Sequence, residues 1–153
     1  MRRMMAAVAL VGTVACGGDS TGPSASYETI AGTYAGELGG VSQGVALVGD
    51  FTLTISQSSG SLSGTYGIDG ALSDGINAVA VAGSGTLTGT IAAGNNPSVN
   101  LTIRPSICSQ RTAQFSGTYD SANRRITLQG PVHILENDCS IFLTYLMNVI
   151  LQR

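Results

Sequence analysis

The sequence predicts an all-β domain: an antiparallel meander of about eight strands, closed into an up-and-down barrel and carrying one disulfide. Three observations carry that expectation. A five-residue pattern with a central glycine occurs four times, alternating apolar runs fill the gaps between its copies, and turn-forming residues separate them. The composition agrees. The 153-residue chain has 21 Gly, no Trp and only 10% charged residues, with Ser and Thr taking up the polar positions. That mixture suits strands and Gly-rich turns and suits long helices poorly.

The glycine pattern reads Ile30-Ala31-Gly32-Thr33-Tyr34, Leu62-Ser63-Gly64-Thr65-Tyr66, Leu87-Thr88-Gly89-Thr90-Ile91 and Phe115-Ser116-Gly117-Thr118-Tyr119. Alternate residues of a strand share a face. One face is therefore apolar, Gly, then apolar or aromatic, and the other is small and mostly polar. Glycine on the inner face lets a sheet bend sharply. Between the copies lie Phe51, Leu53 and Ile55, then Val99, Leu101 and Ile103, then Ile126 and Leu128, each set with Thr or Asn between. Ser58-Ser59-Gly60, Gly94-Asn95-Asn96-Pro97 and Asp120-Ser121-Ala122-Asn123 supply the turns. Ile76 to Ala82 reads as the start of a long bulged strand, with a separate short strand as the alternative.

The last run, Ile141 to Gln152, keeps the alternation, against the competing possibility of a terminal helix. Ile141, Leu143, Tyr145, Met147, Val149 and Leu151 then face inward, and Phe142, Leu146 and Ile150 face outward. Outward positions elsewhere, such as Thr33, Thr52, Thr54, Thr65, Thr90 and Thr118, are polar, whereas a membrane-spanning barrel needs them apolar. The barrel is therefore expected to sit in water. The apolar outward stripe on the last strand is out of character and predicts a covered surface, met by a second copy, by another protein or by the tether folding back.

The N-terminus carries an address. Arg2 and Arg3 precede an apolar run from Met4 to Val14, too short to span a bilayer. The run ends at Thr13-Val14-Ala15-Cys16, which resembles the lipobox of bacterial lipoproteins, with Thr13 where that motif carries an aliphatic residue. The resemblance implies a signal peptide over 1–15, lipid on Cys16, a flexible tether over 16–26 and the barrel over 27–153. An ordinary secretory signal cleaved near Ala15 is the alternative. Position 17 is Gly rather than Asp, and by lipoprotein sorting rules the resemblance implies the outer membrane of a bacterial envelope. In such an oxidising compartment Cys108 and Cys139 are most simply a disulfide, closing a loop of about 30 residues.

The strand motifs resemble those of the avidin and streptavidin family and, more loosely, the lipocalins. Gly32-Thr33-Tyr34 sits where those families have Gly-x-Trp on the first strand. Leu62 to Tyr66 resembles an avidin third strand, and Phe115 to Tyr119 followed by Arg125-Ile126-Thr127 resembles the sixth and seventh. The resemblance implies the barrel. It implies no biotin site, because avidins wall that site with Trp and this chain has none.

The chemical signals are sparse. Gly40-Val41-Ser42-Gln43-Gly44 matches the G-x-S-x-G nucleophile elbow in letters but lies in a Gly-rich loop with no helix pattern after it. His133 has acids nearby in Glu136 and Asp138, yet Pro-Val-His-Ile-Leu reads as plain strand. Asp69 and Asp74 lack the alternating oxygen ligands of a calcium loop. One His and no C-x-x-C pair leave a zinc site short of ligands. Neither an enzyme, a metal nor a cofactor is expected. The formal charge of −2, with no Lys and five Arg beyond the leader, also argues against nucleic acid.

Tyr34, Tyr66, Tyr119 and Tyr145 all fall on the presumed inner face. They are candidate linings of a ligand cavity with hydroxyl handles, or else parts of a filled core with Tyr opposite Gly. The expected function is a binding module for a small, mostly apolar ligand, attached to the membrane only through its lipid. The alternative is a structural or protein-interaction lipoprotein with a filled barrel.

Overall fold

The computed structural model describes residues 25–153; the signal peptide, Cys16 and most of the tether expected from the sequence lie outside the described residues. Eight strands follow in order: β1 Gly32–Ser42, β2 Val45–Ser58, β3 Ser61–Ser73, β4 Ala78–Ile91, β5 Ser98–Pro105, β6 Ala113–Asp120, β7 Arg125–Leu135 and β8 Ile141–Gln152. Each pairs antiparallel with the next, and β8 meets β1 through Ala35 and Gln152, closing a barrel. The last run is a strand, not a helix. β4 is one long strand, as the apolar run from Ile76 suggested, but it carries no bulge: its register with β3 is unbroken from Ser73↔Ala78 to Ser61↔Thr90. Glycines and alanines along both strands let them stay in step without an extra residue.

The alternation read from the sequence sorts inside from outside. Along β8, Leu143, Tyr145, Met147, Val149 and Leu151 are buried and their neighbours exposed; Ile141, expected inside, is exposed at the strand's start. Ile141 pairs with Leu135 at a register shift that leaves Phe142 as an extra residue of β8, so the alternation settles only from Leu143 onward. The glycine repeat serves closure. A Cβ on Gly117 would collide with the Thr127 carbonyl, and one on Gly64 with the Thr54 carbonyl. Only glycine allows such close approach of adjacent strands where a small barrel bends.

Alternation of the hairpins gives the barrel two unlike ends. At one end lie the β2–β3, β4–β5 and β6–β7 turns together with residues 25–31, and here the chain itself is the plug. Ile30 is fully buried, and its N–H donates to Gln57 Oε1 over 2.8 Å. Gln57 Nε2 donates in turn to the carbonyls of Glu28 and Ser59. At the other end lie the β1–β2, β3–β4, β5–β6 and β7–β8 connections. There Cys108 and Cys139 form a disulfide with Cα atoms 5.4 Å apart, joining two loops separated by β6 and β7.

Candidate functional site

The four inward tyrosines divide between core and closure. Tyr34 donates to the Ile30 carbonyl over 2.9 Å, and Tyr119 to the Thr29 carbonyl over 3.5 Å, so both hold the plug. Tyr145, at the opposite end, donates to the Val45 carbonyl over 3.3 Å. Tyr66 lies edge-on to Phe51, with ring centroids 6.2 Å apart, and sits directly opposite Gly85. Burial pushes the phenol of Tyr34 well above its ordinary range, helped by the adjacent Tyr119 and offset by Arg153. Burial likewise raises Tyr66 and Tyr145. The hydroxyls of Tyr34, Tyr119 and Tyr145 are thus committed to the protein's own backbone.

Around them the middle of the interior and its plugged end are filled. Tyr34, Phe51, Leu53, Val99, Ile126 and Leu151 have no surface open to water. The sequence reading that puts Tyr opposite Gly describes this arrangement: Tyr66 would strike a Cβ on Gly85, and the Tyr145 ring lies 3.5 Å from where one on Gly40 would be.

The remaining chemical motifs resolve into local structure. Ser42 ends β1, and Gln43 and Gly44, both at positive φ, make a two-residue hairpin turn to Val45. The G-x-S-x-G letters therefore mark a turn, with no helix behind the serine. His133 Nδ1 lies 2.9 Å from Thr144 Oγ1, while Glu136 and Asp138 bond Ser140 instead. Desolvation, and then Arg111, push the imidazole below its usual range. Arg111 donates from Nε to the Cys139 carbonyl over 2.9 Å and so braces the disulfide loop. Asp74 accepts from the N–H groups of Ile76 and Asn77, which caps the β3–β4 turn and lowers its pKa. Asp69 is on the outer face of β3, opposite Asp50, which is itself opposite Glu37, so three carboxylates line up across β1, β2 and β3.

What stands out is the outer face of β8 and of the strands beside it. Phe142, Leu146 and Ile150 point outward from β8, as the sequence indicated, and Leu146 is 86% exposed. Leu146 pairs with Pro131 on β7. On the other side, Gly40 of β1 lies against Met147 and Tyr145, which brings outward-facing Val41 beside Leu146. Val41 is 73% exposed, and Val48 on β2 extends the patch at 66%. The opposite wall, over β4 to β6, presents Thr86, Thr88, Thr90, Asn100, Thr102, Ser116 and Thr118. Sequence alternation identified the β8 part of the patch. Val41 and Val48 were missed because only the closing of β1 onto β8 brings them to it.

A shallow outer groove of about 370 Å³ follows the β1–β8 seam, lined by Ala35, Gly36, Glu37, Asn148, Ile150 and Gln152. Among the described residues no cluster of His, Cys, Asp and Glu has the arrangement to hold a metal ion. Comparison with known proteins brings no relative: no family model, no curated protein and no solved structure matches the chain. The likeness to avidins and lipocalins therefore rests on the short sequence motifs alone.

Proposed function

We propose that this protein is an envelope interaction module: a filled barrel, tethered by lipid on Cys16, that meets another envelope protein through the outer wall formed by β8, β1 and β2. The observation that carries the reading is a group of large apolar side chains on the outer face, over a core that is already fully apolar. The interior spends its tyrosine hydroxyls on backbone carbonyls, while Leu146, Val41, Val48, Phe142 and Ile150 stand in water. Large apolar side chains contiguous on a soluble surface mark a covered surface. The described chain enters the barrel at the plugged end, so a tether from Cys16 is attached there. The outer membrane is the location favoured by the residue after Cys16.

The test is photo-crosslinking in the native envelope. A photoreactive residue at Leu146 or Phe142 is expected to capture a protein, and one at Thr88 or Thr102, on the opposite wall, is not. Equal capture at all four positions, or none at Leu146, would overturn the reading. Fatty-acid labelling lost in Cys16→Ser, with release of the protein to the soluble fraction, tests the anchor separately. A second reading, a small apolar ligand in the mouth of the barrel, is favoured by Val79, which faces inward at the disulfide end yet is 62% exposed. Native mass spectrometry of the envelope-derived protein separates the two, since a retained small molecule supports only the second.

A further inference from the structure

The β3–β4 ladder runs the whole length of β4, but β5 covers only Gly85 to Ile91. β5 ends at Pro105, opposite Gly85. After Ser106, whose N–H donates to the Ser84 carbonyl over 2.8 Å, the chain turns away to reach Cys108 and its bond to Cys139. Ala78 to Gly83 are left as a strand edge that nothing among the described residues pairs with. All six are exposed except half-buried Val81, and the space beside Gly83 is open.

Strand edges in monomeric proteins are guarded by Lys, by Pro or by a bulge. This edge has none of these. No charged residue lies between Asp74 and Arg104, and the register with β3 has no irregularity. The segment is also a palindrome: Ala78-Val79-Ala80-Val81-Ala82 reads the same in both directions. A two-fold antiparallel pair selects for this property. With Ala80 on the axis, Ala78 meets Ala82 of the second copy and Val79 meets its Val81. The valines then share the inner face and the alanines the outer, so each face matches itself.

We propose that two copies of this chain pair edge to edge through Ala78–Ala82, antiparallel and centred on Ala80, so that the sheet runs on from one barrel into the next. The backbone groups of the edge supply the hydrogen bonds, and the self-complementary sequence makes a second copy the occupant. This edge lies across the barrel from Leu146 and does not depend on the function proposed above.

The test uses the full chain carrying Cys16→Ser. Sedimentation is expected to show a reversible dimer. Ala80→Lys, which sets two ammonium groups face to face on the axis, is expected to weaken it on the order of tenfold or more. Single cysteines read the register. Ala80→Cys is expected to form an oxidised dimer by itself, and Ala78→Cys and Ala82→Cys only when mixed with each other, because paired Cα atoms about 5 Å apart can be bridged. A monomer at high micromolar concentration would overturn the proposal. So would a dimer that survives Ala80→Lys but is lost in Leu146→Asp, or an Ala80→Cys thiol that crosslinks to a different protein. If Ala80→Lys does not fold, the cysteine pairs alone decide.

Discussion

The two ends of this barrel are closed by different physics. At the plugged end the chain uses itself: Ile30 fills the opening, and Tyr34, Tyr119 and Gln57 tie its backbone down with hydrogen bonds. At the other end a covalent bond joins two loops, and apolar side chains remain outside. The plug satisfies buried carbonyls and N–H groups as it covers apolar surface. The disulfide limits the freedom of the unfolded chain without covering anything. The difference explains why stability and exposed apolar surface can coexist at one end: the crosslink frees the rim from having to pack itself shut.

That contrast makes graded predictions. Removing the disulfide with Cys108→Ser and Cys139→Ser is expected to cost about 3–4 kcal/mol, the loop-closure value for a separation of 31 residues. Urea unfolding measures it, and a loss under about 1 kcal/mol would mean that the rim is held by packing instead. At the plugged end, Ile30→Ala is expected to cost about 2–3 kcal/mol, because the segment can shift partly into the space left. Protection from proteolysis near Tyr27 should fall with it. Unchanged protection would show that the hydrogen bonds of Gln57 hold the plug without its apolar anchor.

Tyr34→Phe leaves the buried Ile30 carbonyl without its donor and is expected to cost about 1–2 kcal/mol. The pH dependence follows from the same burial. The folded pKa of Tyr34 is raised, so the folded protein keeps a proton that the unfolded chain begins to lose near pH ~10. Stability from this group is fully present below that pH and is lost as the pH rises above it. Phenolate absorbance of Tyr34 should therefore appear together with unfolding, and a phenol that titrates freely in the folded state would contradict the plug's geometry. The smallest effect belongs to the acidic row. Asp69→Asn relieves like charges directly opposite each other and should stabilise the protein by about 0.5 kcal/mol, an effect that high salt erases. Thermal unfolding at two ionic strengths measures it.

The strands, their inner and outer faces and the candidate crosslink are legible in the residues alone. Period-two alternation is local, and residues such as Leu143 to Leu151 have no other way to bury their apolar side chains. It also marked Phe142, Leu146 and Ile150 as outward, because alternation leaves them no inner position. What depends on register summed around the barrel emerges only in the folded chain. The glycine repeat places Ile30 at the start of a strand, whereas its place as a plug depends on Gln57 and Tyr119, distant along the chain. The joining of Val41 to Leu146 required β1 to meet β8. The free edge at Ala78 to Gly83 required β5 to end at Pro105 while β3 continued. Such pairings are set by which strands close the cylinder and where each one stops, and no local window of sequence contains both partners.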